Sequence, residues 1–206
     1  MTSKPKTRAE ASAPKRRRAD ADRSVASILS AALEALASDP DASMAEIARR
    51  AGVVRATIYT HFPTREALLD AVMEHAVAQV AEATCEADPT RGKPEEALER
   101  VLLATWQKLG DFHALLAINT SRLSAKELHR RHQPVMTQFA PLIERGQQKG
   151  VFRRDLPVSW HLAVVRAIAH AASAELQSGR IAGSDVEAAI VSTVMNALGP
   201  TGNAPT

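Results

Sequence analysis

The chain is poor in the residues that mark many specialised proteins. Its 206 residues include one cysteine, Cys85, so no internal disulfide framework is possible and a reducing compartment suits it. Cys85 itself reads as a small hydrophobe near a helix end rather than a redox sensor. Aromatic residues make up only 3% of the chain, so each one is worth placing. No apolar run approaches the ~20 residues of a membrane helix. The basic N-terminus is not followed by the apolar stretch of a secretion signal. A cytoplasmic protein with no membrane partner is therefore expected. Gly-rich phosphate loops, nucleophile elbows and metalloprotease histidine pairs are all missing from the sequence. No enzyme activity, cofactor or metal is expected.

What is present points to helices. Hydrophobic residues are 45% and charged residues 24%, with abundant alanine. The length allows one or two compact domains with a real core. Net charge is only +3, but it is unevenly placed. Residues 1–23 carry Lys4, Lys6, Arg8, Lys15, Arg16, Arg17, Arg18 and Arg23 against Glu10, Asp20 and Asp22, a local net of +5. Residues 71–206 balance, with 14 charges of each sign. The basic excess lies beside the stretch that organises the rest.

That stretch is residues 43–66. Ser43 can cap a helix by accepting from first-turn N–H groups, and Asp39 and Asp41 place negative charge near the same end. Met44, Ile47, Ala48 and Ala51 form one apolar helical face. Gly52 supplies the left-handed residue that often ends a helix. Val53, Val54 and Ile58 supply the apolar residues of a second short helix folding back on the first, and small Ala48 lets the two cross closely. This spacing predicts a helix-turn-helix whose second helix enters the major groove of DNA.

The residues Ile47-Ala48, Ala51-Gly52-Val53, Thr57-Ile58-Tyr59, His61-Phe62 and Arg65-Glu66-Ala67-Leu68-Leu69 resemble the DNA-binding signature of the tetracycline-repressor (TetR) family of transcriptional regulators. The match runs over about 27 residues without a gap, more specific than any short motif. Val54 departs from the family, which usually has a hydroxyl residue there to cap the recognition helix and touch phosphate. Valine cannot cap.

Along the chain, residues 1–21 read as a disordered basic arm. Lys15-Arg16-Arg17-Arg18 either lies along DNA or forms a solvated tail. Residues 22–70 form the helix-turn-helix domain, residues 71–199 a helical effector-binding and dimerisation domain, and residues 200–206 a flexible tail. The first helix is expected from Asp22 to Ala37, with Val25, Ile28, Leu29, Ala32, Leu33 and Leu36 buried. Thr64 caps a helix with Leu68, Val72, Ala76 and Val80 inward. After the loop 87–94, Pro94, Glu95 and Glu96 open a helix carrying Leu98, Val101, Leu102 and Trp106. A short helix is expected over Phe112 to Asn119. Ser124 and Glu127 form a capping-box pattern. Pro134 is expected to break that helix and start another running to Lys149, kinked at Pro141. Residues Ile143 to Leu156 again resemble the family, more weakly.

The last two helices, about 157–178 and 185–198, are each apolar on two sides. In the first, Val158, Leu162, Val165, Ala169, Ala172 and Leu176 make one seam, and Trp160, Val164, Ala167, Ala171 and Ala174 make another. In the second, Val186, Ile190 and Val194 continue the pattern. A helix apolar on two sides must bury both. The resemblance implies that these helices pair with a second subunit in a four-helix bundle, with the first seam and Val186, Ile190 and Val194 as the homodimer interface.

A short recognition helix touches few base pairs, so two copies are expected to read a palindromic operator in double-stranded DNA, with half-sites ~34 Å apart. The DNA-facing set comprises Ser43, Val54, Arg55, Ala56, Thr57, Tyr59, Thr60, His61 and Arg65. Arg55 suits guanine O6 and N7, while Ala56 and the Thr57 methyl suit thymine methyls. Thr57, Tyr59, Thr60, His61 and Arg65 suit phosphates. The resemblance also implies an unknown small-molecule effector in the second domain. Trp106, Phe112, His113, Asn119, Met136, Phe139 and Trp160 are its candidate lining residues. Two other readings remain open. One is a DNA-binding protein without an effector. The other is an enzyme or metal sensor built on His129 and His132, with Asp111 and His113 near in sequence.

Overall fold

The computed structural model describes residues 13–110, 112 and 124–200. Residues 1–12 of the basic arm, the expected short helix after Phe112 with His113 and Asn119, Asp111, and the end of the tail lie outside them. The described residues form eight helices and no strand, an all-α protein. Two compact units divide between Val72 and Met73, within a single helix.

In the first unit, α1 (Ala13–Ser38) begins earlier than the expected Asp22. Alanine, lysine and arginine dominate the added turns. All three are strong helix formers, and no glycine or second proline interrupts them. Ile28, Ala32, Ala35 and Leu36 are fully buried along its inner stripe. Helix α2 (Met44–Arg50) packs on α1, and α3 (Arg55–His61) packs on α2. The Ser43 hydroxyl accepts from Glu46 N–H at 3.2 Å, as the cap pattern predicts. At the other end Gly52 has φ +67, and Val53 N–H reaches back to Ala48 C=O at 3.0 Å. That bond is the helix-ending loop closure only a left-handed residue permits cheaply. Ser27 Oγ donates to Ala51 C=O at 3.0 Å and fixes the turn against α1. Met44, Ile47, Ala48, Ile58 and Phe62 complete the core with Leu68, Leu69 and Val72.

Helix α4 (Arg65–Glu86) opens on Thr64, whose hydroxyl accepts from Ala67 N–H at 3.1 Å. Its second half enters the other unit, with α5 (Pro94–Gly110), α6 (Ala125–Gln148), α7 (Val158–Gln177) and α8 (Gly183–Leu198). Ser124 caps α6 by accepting from Glu127 N–H at 3.2 Å. Contrary to expectation, Pro134 does not end that helix, which runs unbroken through Pro134 and Pro141. Each proline removes one helical hydrogen bond and costs about 3 kcal/mol. Both are exposed and seven residues apart, on the side where solvent can satisfy the freed carbonyls. The opposite side buries Val135, Phe139, Leu142 and Ile143. At about 1.5–3 kcal/mol for each buried side chain, that face outweighs both defects.

The second family-like segment now has a physical account. Gly146 lies against the buried Phe152 ring, and a Cβ there would sit 2.0 Å from Phe152 Cδ2. Gln147 Nε2 donates to Arg153 and Leu156 carbonyls at 2.9 and 3.0 Å, and Arg153 N–H donates to Leu198 C=O at 2.9 Å. Those bonds clamp the link between α6 and α7 to the end of α8.

Candidate nucleic-acid interface and ligand cavity

Helix α3 is anchored by Ile58, fully buried, and by Phe62 just beyond its end. With those two inward, Arg55, Ala56, Tyr59 and Thr60 are exposed together, and Thr57 and His61 sit half-buried at the margins. Val54, counted at sequence level with the residues folding back, is instead 70% exposed. It occupies the N-cap with no side-chain cap bond, so the helix start lacks the acceptor a hydroxyl would give. Only three large hydrophobics are exposed among the described residues, and Val54 and Tyr59 are two of them. The Arg55 guanidinium lies 5.5 Å from the Tyr59 ring centroid, a cation–π contact that orients the arginine along the outer face. Thr60 Oγ1 donates to Ala56 C=O at 2.8 Å within the helix.

A shallow groove brings Ser43, Arg55, Tyr59 and Arg65 together from three helices. Arg65 is more committed than the sequence suggests. Its guanidinium donates to Ala42 C=O, and to Pro40 C=O at 2.8 Å, tying the α1–α2 turn to the start of α4. On α2, Arg49 and Arg50 both bond Glu46, at 2.6 and 2.9 Å. Those hydrogen bonds hold the Glu46 carboxyl down to about 2, so these two arginines are paired while Arg55 faces outward.

The second unit encloses a cavity of about 70 Å³ between α4, α5, α6, α7 and α8. Four expected residues line it: Trp106, Phe112, Met136 and Phe139. Trp160 does not. It is 55% exposed on the outside of α7, because the stripe it belongs to faces away from the core. Val165 and Ile190, expected at a subunit interface, line the cavity instead, and Val186 and Val194 are likewise buried within the subunit. Ala169 also lines the cavity, while Val158, Leu162, Ala172 and Leu176 are half-buried. The two apolar sides of α7 therefore take the opposite assignment: the Val165 side is core, and Ala167, Ala171 and Ala174 with Trp160 are exposed.

Sequence reasoning missed the polar corner of this cavity. His132 on α6 and His170 on α7 meet with Nε2 atoms 3.2 Å apart and rings edge to face at 5.0 Å. His132 Nδ1 lies 2.7 Å from Leu128 C=O, which can only accept, so Nδ1 carries the proton. In the neutral pair His132 Nε2 then accepts and His170 Nε2–H donates. Burial pushes both imidazoles down from their ordinary value. His170 reaches about 4, helped by the neighbouring His132 and Arg166. His129, the partner suggested by sequence, is exposed and pairs with Gln133 at 2.7 Å. His132 and His129 thus do not form one site. A separation of 38 residues left no sequence signal for the contact between His132 and His170.

Residues 28–72 match the family model described as bacterial regulatory proteins, tetR family. Those bounds take in α2, α3 and their supports. This segment carries the TetR-family signature. The chain is 42% identical over 82 residues to the transcriptional repressor LfrR of Mycolicibacterium smegmatis, covering 39% of this chain and 43% of that protein. The chain thus matches less than half the length of that curated relative. Likeness of fold extends further. The crystal structure of LfrR with proflavine superposes with a TM-score of 0.68 at 26% identity, over 86% of this chain and 97% of that one. A TetR regulatory protein from Mycobacterium vanbaalenii superposes at 0.61 and 27% identity, over 88% and 98%. Beside that TetR-like segment, the chain has a cavity whose polar corner is built from His132, Arg166 and His170.

Proposed function

We propose that the chain is a dimeric transcriptional repressor that binds a palindromic operator and leaves it when a small molecule occupies the second unit. The observation that carries the reading is the outward face of α3. Arg55, Ala56, Tyr59 and Thr60 share it while Ile58 and Phe62 hold the helix to its support. A seven-residue helix is about 10 Å long, which fits the ~12 Å width of the major groove. Arg55 reads a base edge. Ser43, Thr57, Tyr59, Thr60 and His61 approach phosphates, and Val54 makes an apolar contact. Arg65 acts first as the brace between turn and helix and can approach a phosphate only from that position.

Support for a dimer comes from the exposed apolar stripe of α7. Trp160, Ala167, Ala171 and Ala174 with half-buried Val164 present small residues that let another helix approach closely. This replaces the Val165 seam as the proposed interface. The cavity favours an effector over the effector-independent reading. At about 70 Å³ it is smaller than the ~300–1,000 Å³ of a drug-sized site. A ligand of that size must part the surrounding helices, and such differential fit is what a two-state switch requires. LfrR, solved with proflavine, is a relative of known ligand.

Selection of bound sequences from random double-stranded DNA tests the reading. Enrichment of an inverted repeat with half-sites about one turn apart is expected; enrichment of no sequence above background refutes it. A thermal-shift screen separates gated from ungated binding, since a ligand that binds the native state raises the melting temperature.

A further inference from the structure

Among the described residues the cavity wall is largely apolar, and the charge at its one polar corner has a single sign. Among the described residues that line it, α4, α5 and α8 contribute only neutral side chains, and no aspartate or glutamate appears. The two hydroxyls on the wall are already engaged. Thr105 pairs with Thr84 at 2.9 Å, and Ser173 Oγ donates to Ala169 C=O at 3.0 Å. What is left is Arg166 beside the His132–His170 pair. The half-buried Arg166 makes no hydrogen bond or ion pair with a described residue, and its electrostatic neighbours are the two histidines.

We propose that this cavity takes a ligand with an apolar body and one anionic group, a carboxylate or similar acid, seated against Arg166 and the His132–His170 pair. The inference rests on the reading of the cavity as the effector site and names the chemistry that site selects. A guanidinium half out of water with no counter-charge among the described residues suits an anion, and a carboxylate supplies two acceptor oxygens matched to its fork. The histidine pair adds a second feature. Empty, it is neutral, because burial, the neighbouring ring and Arg166 all oppose a proton. An anion in the corner reverses the local field, so the pair can take up one proton and offer another donor. The groups facing the pair are Arg166 on its own helix α7 and His129 on α6. Among the described residues a cationic ligand meets only like charge there, and a neutral one gains the apolar contacts alone.

Calorimetric titration of the full chain at pH 7 with octanoate, 1-octanol and octylammonium tests this. The three probes share a tail and differ in head charge. Octanoate is expected to bind about tenfold tighter than octanol, the usual scale of a charge-assisted hydrogen bond to a partly buried cation, with octylammonium weakest. Arg166→Gln should bring octanoate down to the octanol affinity and leave octanol within about twofold, while Arg166→Lys keeps most of the preference. His170→Gln should remove the proton uptake, seen as loss of buffer dependence in the octanoate heat. Octanol binding as tightly as octanoate, or a preference that survives Arg166→Gln, overturns the anionic corner and leaves the cavity standing as a ligand site. If none of the three binds, both fall.

Discussion

Lowering the pH from 7.5 to 5 should destabilise this protein largely through His170, and replacing that residue should reduce the effect. In the native state the ring stays neutral down to about pH 4, because burial, His132 and Arg166 oppose its charging. In the unfolded chain it titrates at the ordinary value of about 6.5. Between those two values the unfolded state binds more protons, so stability falls as pH drops through the window and is unaffected above it. From 6.5 down to 5, at about 1.36 kcal/mol per pH unit, the ceiling is ~2 kcal/mol. The ring is partly exposed, so solvent screening brings the expected loss to about 1 kcal/mol. The carboxylates Glu46 and Glu127 are held to about 2 and change charge below this window, while His132, also pushed down by burial, adds a slope of the same sign. Urea unfolding at half-unit pH steps measures the slope for the wild type and for His170→Phe. The variant loses the hydrogen bond to His132 at every pH, so its whole curve sits lower, but its curve should be flatter below pH 6.5. Two parallel curves would refute the claim that the pair is buried and neutral.

Arg55→Ala should relax base preference at one position per half-site by about 1–3 kcal/mol. Binding to random sequences measured alongside should change little, and an equal loss on all DNA would move Arg55 to a phosphate. Ala171→Glu should convert a dimer to monomers in sedimentation while the helical circular dichroism persists; a dimer that survives places the interface elsewhere. Val165→Glu, by contrast, puts a charge into the cavity wall and should unfold the second unit, seen as loss of the cooperative thermal transition. Gly146→Ala drives a methyl into the Phe152 ring, which is only 2% exposed and has little room to retreat. A cost of at least about 2 kcal/mol is expected in urea unfolding, and an unchanged midpoint would show that the ring shifts freely.

Short-range features of this protein were legible in the sequence because short-range geometry produces them. The caps at Ser43, Thr64 and Ser124 and the left-handed Gly52 depend on residues within one turn, and the structure has each where the pattern predicts it. The inward stripe of α1 and the Ile58 anchor of α3 follow from helical period, so the outward set on α3 was readable as well. The break expected at Pro134 failed for a reason no local rule contains. A buried face two turns long, packed by Phe139, Leu142 and Ile143, outweighs two missing hydrogen bonds on the wet side.

The sequence alone settled that the chain is helical, where most helices begin, and which side chains of the short helix α3 turn outward. It also showed that α7 has two apolar sides, but not which one the subunit would bury, since each side has helical spacing and enough hydrophobic residues to serve. Only packing chose the Val165 side as core and left Trp160, Ala167 and Ala171 outside. The same holds for the cavity: His132 and His170 stand far apart in the chain, and nothing in the spacing of either hints at the other. Their meeting beside Arg166 depends on how α6 lies against α7, and that is fixed by the summed fit of many side chains rather than by any one residue.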